Sequence, residues 1–171
     1  RITKYDKSWN RIGSVGLDNC NTYVPFDAGS LRMTESDGYL LIRTCHTMYQ
    51  SSDGYHHQAN VTIQVDVNKM QITDSFTDIM NVGYGYVSHS FNQFIRTDGN
   101  KIVAVDHGDA YPRSVVLVEY QTDFTTGQFI SNMGWQDHCK ATDLLKIAGG
   151  IGNNTTYVNV GGFEVTDSAY I

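Results

Sequence analysis

The chain has 171 residues, 40% hydrophobic and 12% aromatic, with sixteen Gly and two Pro. That is long and apolar enough for one domain with a sizeable core, and it excludes a disordered, collagen-like or mucin-like segment. Charged residues are 18% and the formal net charge is -6; Lys and Arg are scattered singly, so no basic stripe is present for a nucleic-acid backbone.

The strand-like runs come in chain order as Leu31 to Met33, Tyr39 to Ile42, Val61 to Val65, Phe91 to Ile95, Ile102 to Val105 and Val115 to Tyr120. Each is short, apolar or alternating, and bounded by turn residues, which is the signature of antiparallel β-structure. Asp37-Gly38 and Asp98-Gly99 have the chemistry of tight hairpin turns, because Gly accepts positive φ and Asp tolerates it. From Asp137 to Ile147 the pattern fits a helix ended by Gly149-Gly150, and Asp143 to Ile147 fits a short strand as well. No apolar run approaches the roughly eighteen residues of a membrane-spanning helix, so direct membrane insertion is not expected.

These runs repeat. The turn at Asp37-Gly38, its following strand, a polar loop and the strand from Val61 recur as the turn at Asp98-Gly99, the strand from Lys101, a second polar loop and the strand from Ser114. The offset is about 60 residues in the first half and about 54 in the second, a period within the range of stacked repeat architectures. Approximate units are 27–74, 87–126 and a weaker 137–171, in which Lys140 to Asp143 is an inner strand and Tyr157 to Val160 a later one. Small sheets that cannot bury both faces alone are the blades of a β-propeller. The expected fold is therefore all-β, a partial propeller or one completed by a partner or by further chain, with a β-sandwich of the same strands as the alternative. The start at Arg1 and the apolar end at Ala169 to Ile171 also read as a piece of a longer polypeptide.

Two polar loops interrupt the strands at corresponding points, Asp53 to Asn60 and Asp106 to Arg113. Arg43, His46, Tyr55, His57, His89, His107, Tyr111 and Arg113 are the candidate ligand-binding residues: Arg and His donate hydrogen bonds, and Tyr offers an apolar face for a sugar or a protein. Asp106 and Asp109 are candidate ligands for a hard cation such as calcium, which takes oxygen donors. His56 and His57 are adjacent and point to opposite faces of an extended strand, so they do not share a metal. Ser30, Ser88, His89, Ser90 and the Cys45-His46 pair lack the context of an activated nucleophile. A carbohydrate-active or peptide-cleaving hydrolase using the carboxylates and His stands as the rival to a binding module, and a purely architectural role as the third reading. Cys20, Cys45 and Cys139 lack metal-site spacing; three buried thiols or one disulfide and one thiol both fit. Asn60, Asn153 and Asn154 each stand in a glycosylation acceptor pattern.

The motifs Phe26 to Arg32, Asp53 to Asn60, Ser88 to Phe94 and Asp106 to Arg113 give the chain a resemblance to segments of large secreted or cell-wall proteins of Gram-positive gut bacteria. Those proteins combine a propeller-like region with immunoglobulin-like modules. The resemblance lies mainly between Asp27 and Tyr120. It implies an extracellular or cell-wall location and a modular parent, and it carries no catalytic residue across.

Overall fold

The computed structural model describes residues 1–18, 20, 24–25, 31–47, 54, 56, 58–76, 93–99, 101–108, 113–129, 140–150, 155 and 157–171. Within them the strands are β1 (Ile2–Tyr5), β2 (Arg11–Val15), β3 (Val24–Pro25), β4 (Arg32–Ser36), β5 (Tyr39–Thr47), β6 (Gln58–Asp66), β7 (Gln71–Phe76), β8 (Gln93–Asp98), β9 (Lys101–Gly108), β10 (Ser114–Asp123), β11 (Gln128–Phe129) and β12 (Lys140–Lys146). All pairings are antiparallel and fall into three sheets. The all-β expectation holds, and all six strand-like runs of the sequence overlap observed strands.

The first large sheet is the meander β4-β5-β6-β7, with β3 added beside the far end of β5. The second is β8-β9-β10, whose last position is shared by β11 and β12. The segment weighed between helix and strand is thus a strand at Lys140–Lys146, and it pairs with β10. It completes the second sheet and is not the inner strand of a separate unit; its alternation lets Leu145 lie opposite Val115. Tyr157 to Val160 is not in a strand. Val158 and Val160 instead pack on the outer face of the second sheet.

Two kinds of turn recur. Ser36 pairs with Tyr39 around Asp37 (φ 52°) and Gly38 (φ 82°), the doubly left-handed turn whose twist suits a two-residue hairpin. In the second hairpin Asp98 still pairs with Lys101, so Asp98 belongs to the ladder and the turn begins at Gly99, one residue later than the Asp98-Gly99 turn read from the sequence. The other kind begins with an Asp. Asp6, Asp66 and Asp123 accept hydrogen bonds from the backbone N–H two residues on, at Ser8, Asn68 and Thr125, 2.8–2.9 Å away. Each of these turns carries one left-handed residue, Trp9, Met70 or Gly127. At Gly127 the choice is forced twice, because a Cβ there would also lie 2.6 Å from the Tyr39 ring.

Hydrogen bonds hold all three turn carboxylates below their ordinary pKa of 3.8: chiefly the Asn10 side chain for Asp6, the Lys69 N–H for Asp66 and the Thr125 N–H for Asp123. A carboxylate with a depressed folded pKa stabilises the fold fully above its unfolded pKa and ceases to do so as pH falls through the folded value. The melting temperature should therefore be flat above about pH 5 and fall below about pH 4. Thermal unfolding across that range, with Asp6, Asp66 and Asp123 replaced by Asn, should show a shallower acid slope for the variant.

The large sheets stack head to tail. On the first, Ile42, Val61, Ile63 and Val65 face the β1-β2 hairpin side, packed with Leu17, Cys20, Ile2 and Val15. Its opposite face presents Leu41 to Ile95, Ile102, Ala104, Val116, Val118 and Tyr120 of the second sheet. The far face of the second sheet, with Phe94, Val103, Val105 and Val115, is covered by Phe163, Val158, Val160 and Val165. Matching the hairpins at Tyr39 and Lys101 makes Leu41 the counterpart of Val103 and Ile42 the counterpart of Ala104. Counterparts point the same way along the stack: Leu41 and Val103 both look forward, Ile42 and Ala104 both look back. Arg32 lies over the Phe94 ring at 4.9 Å and Tyr39 stacks on Phe124 at 6.2 Å, which aligns β4 with β8 and the turn ends with each other.

Candidate functional site

Strand alternation puts Arg43 on the same face of β5 as Leu41, and Asn60, Thr62 and Gln64 on the face of β6 that looks at the second sheet. On β9 the same alternation adds Asp106 to Ile102 and Ala104. The result is a polar layer sealed between two sheets. Arg43 Nε donates to Asp106 Oδ1 at 2.8 Å, Nη2 donates to Asp106 Oδ2, and Nη1 donates to Thr62 Oγ1 at 2.6 Å. Both charged side chains are fully buried. Burial alone would lower the Arg43 pKa, but the Asp106 charge and the nearby Tyr120 outweigh it and hold the guanidinium above its ordinary value. Nearer the turns, Thr122 Oγ1 donates to Gln64 Oε1 at 2.8 Å.

The same layer contains Asn60, fully buried and with neither amide atom hydrogen-bonded. An unmet buried amide costs roughly 1–3 kcal/mol. Its full burial also leaves no room in this fold for a glycan at the acceptor pattern there. Cys45, opposite Asn60 on β5, and Cys20 are buried thiols. Burial and the charge of Asp18 push the Cys20 thiol up to about 11, so it stays protonated at neutral pH.

Arg43 and Asp106 are thus brought together, and they satisfy each other. Arg43 was expected to meet a ligand and Asp106 a cation; the cation that Asp106 meets is the guanidinium, which takes both carboxylate oxygens. His107 is buried on β9 next to Asp106 and therefore belongs to the opposite face, the one carrying Val103 and Val105. Arg113 Nη2 donates to the Ala148 carbonyl at 2.8 Å, and Ile147 N–H donates to the Arg113 carbonyl, so this residue ties the start of β10 to the end of β12. His46 is in β5, opposite Ala59 and Pro25. Tyr55, His57, His89, Asp109, Tyr111 and Cys139 lie outside the described residues.

Four of the predicted site residues, Tyr55, His57, Asp109 and Tyr111, belong to connections whose flanking strands are described. β5 runs from its turn toward residue 47 and β9 toward residue 108, while β6 and β10 return from 58 and 114. The strand ends at 47, 58, 108 and 114 therefore lie at one common end of neighbouring sheets, beyond the Arg43–Asp106 layer. At the opposite, turn end lies a shallow depression of about 360 Å³ lined by Asp98, Thr166, Asp167, Ser168, Ala169 and Tyr170. There Tyr170 donates to Asp98 and Lys101 donates to both Glu119 and Tyr170. Among the described residues no group of three or more His, Cys, Asp or Glu could hold a metal ion, and no helix is long and apolar enough to cross a membrane.

Thr62, Gln64 and Thr122 were missed in the sequence. The polar face of β6 alternates with Val61, Ile63 and Val65 as it would on a strand whose other side meets water, so only the position of the second sheet reveals that it is buried. The chain matches no family model, no curated protein sequence and no solved structure.

Proposed function

We propose that this chain is part of a propeller-like stack whose common loop end binds an extracellular ligand, a glycan or an exposed protein segment, with the polar layer beneath it serving as scaffold. The observation that carries this reading is that β5, β6, β9 and β10 reach one common end of two aligned, head-to-tail sheets. Head-to-tail order is what blades of a propeller share, whereas the two sheets of a sandwich turn their inner faces toward each other. Loops grouped at one end of a rigid β-scaffold are the usual place for binding residues.

Tyr55 and Tyr111 would supply stacking faces in this reading, and the candidates His46, His57, His89, His107 and Arg113 would supply donors. Calcium is left with Asp109 and loop carbonyls, because Asp106 is already neutralised. Binding is favoured over hydrolysis for a chemical reason: Asp106 is fully buried with both oxygens taken by Arg43, so it is out of a substrate's reach. A cell-surface or secreted location suits the low charge content and the resemblance noted above.

The test is an immobilised glycan and peptide array, followed by titration calorimetry on any ligand retained. Replacing Tyr55, His57 and Tyr111 together by Ala should weaken binding by about tenfold or more with the melting temperature unchanged. Failure to retain any ligand at concentrations on the order of 100 μM, or equal retention by the variant, would remove the loop end as a binding site.

A further inference from the structure

The stack carries two half-width hairpins that are complementary. β1-β2 has the Asp-led turn found between β6 and β7 and between β10 and β11; Asp6 and Arg11 stand where those turns have Asp66 and Gln71, and Asp123 and Gln128. It also stacks in the same sense, Ile2 and Val15 toward the first sheet and Ile12, the counterpart of Ile72, away from it. The other hairpin is formed by 163–171, where Glu164 and Ile171 exchange backbone hydrogen bonds and Thr166 bonds Ala169 around Asp167-Ser168. Its two-residue loop matches those between β4 and β5 and between β8 and β9. Phe163, the counterpart of Ile95, points back onto the preceding sheet as Ile95 does. One hairpin is the third and fourth strand of a sheet; the other is the first and second.

In both large sheets these halves are joined through the β5-β6 and β9-β10 ladders. Among the described residues β1 pairs with β2 alone, and residues 169–171 pair within their own hairpin. Several exposed apolar residues fall where the missing halves would lie, although Trp9, Leu144 and Tyr157 do not. Met33, 51% exposed, is on the face of β4 that the N-terminal hairpin leaves uncovered; Leu145, 53% exposed, is on the face of β12 that the C-terminal hairpin leaves uncovered. Tyr5, Ile12 and Ile171, exposed by 50%, 56% and 75%, look outward from the hairpins themselves. Charge is complementary too: residues 1–11 hold Arg1, Lys4, Lys7 and Arg11 against Asp6, whereas 163–171 holds no basic residue, only Asp167 and Glu164, the latter already paired with Arg96 at 2.6 Å.

We infer that two copies of this chain associate reciprocally, the β1-β2 hairpin of each pairing edge to edge with the 163–171 hairpin of the other. The partner's Tyr5 and Ile12 then cover the region of Leu145, and its Ile171 covers the region of Met33. Four resident sheets and two composite ones make six, within the range of roughly four to eight over which such stacks close into a ring. Closure by a two-fold axis uses each half once and pairs the free edge of β1 with that of residues 169–171. The association depends on the stacking geometry and stands whether or not the loop end binds a ligand.

Sedimentation velocity of the 171-residue chain at concentrations on the order of 100 μM should show a species of twice 19.1 kDa. Ile12→Glu and Ile171→Glu should each raise the dissociation constant by about tenfold or more without lowering the melting temperature, because both side chains are exposed in the single copy. Mixing the two variants should give a heterodimer tighter than either homodimer, since one composite sheet then contains neither substitution. Added salt should loosen all of these associations. A monomer at that concentration, an open-ended series of larger species, or a dimer indifferent to both substitutions would overturn the inference. Glycan-array results bear only on the loop end, so the two ideas fail separately.

Discussion

Arg43→Met should lower the free energy of unfolding by about 3–5 kcal/mol, and Asp106→Leu should do the same, because each leaves its former partner charged and buried without a counter-ion. The Met side chain keeps much of the volume of Arg43 but none of its donors, so Asp106 loses both of its bonds and Thr62 loses one. The double variant should recover most of that loss, ending within about 2 kcal/mol of the starting protein or above it, since two apolar side chains of similar volume need no desolvated charge. Urea unfolding of the four proteins in a cycle measures this, with unchanged m-values as the check that the compared states are alike. Additive single losses would mean that the pair is not coupled and that the layer is open to water. The pair also labels one interface: Val105 stands where Arg43 would recur and Thr44 where Asp106 would, so only the first sheet against the second can form it.

Leu41→Ala should cost about 3 kcal/mol or more. Among the described residues Leu41 is the first sheet's one contribution to the apolar cluster between the sheets; Ile95, Ile102, Ala104, Val116, Val118 and Tyr120 all come from the second. Truncating it removes transfer energy and leaves a cavity whose walls are two hydrogen-bonded sheets that cannot collapse inward, the circumstance in which Leu-to-Ala losses are largest. Val61→Ala on the other face should cost less, since the smaller side chain leaves a smaller void and the hairpin residues opposite it can shift. Equilibrium unfolding of both variants decides whether the inter-sheet contact is the stronger of the two; equal losses would place the main core on the N-terminal side.

The strands were legible because alternation is local. Tyr39 to Ile42, Ile102 to Val105 and Val115 to Tyr120 announce themselves by residue type, and the turn at Asp37-Gly38 by its two left-handed positions. β1, β2, β7 and β11 were not read, because Thr3, Lys4, Ser14, Thr73 and Ser75 dilute the apolar pattern and the Asp-led turns between these strands have no Gly at Trp9 or Met70 to mark them. The shift of the second hairpin turn by one residue is a matter of pairing: Asp98 is retained by the ladder to Lys101, and no single-residue signal tells a ladder residue from a loop residue there. The candidate site was legible in part. Arg43 stands out in the sequence as a ligand-binding candidate and Asp106 as a cation ligand, and they meet across 63 residues of sequence. That they meet each other rather than a ligand depends on sheet order, which residue spacing does not encode.

The unequal division of polarity between the two facing surfaces bears on how the chain is made. The first sheet leaves the ribosome before the second exists, and the side it must keep exposed while it waits carries Arg43, Asn60, Thr62 and Gln64 with little besides Leu41 that water would avoid. The greasy half of the contact arrives later, on β8, β9 and β10, when a finished surface is already there to receive it. Synthesis in this direction never presents the sticky partner alone, and a chain rearranged so that the second sheet emerged first would expose Ile95, Ile102, Val116 and Val118 for as long as the first took to follow.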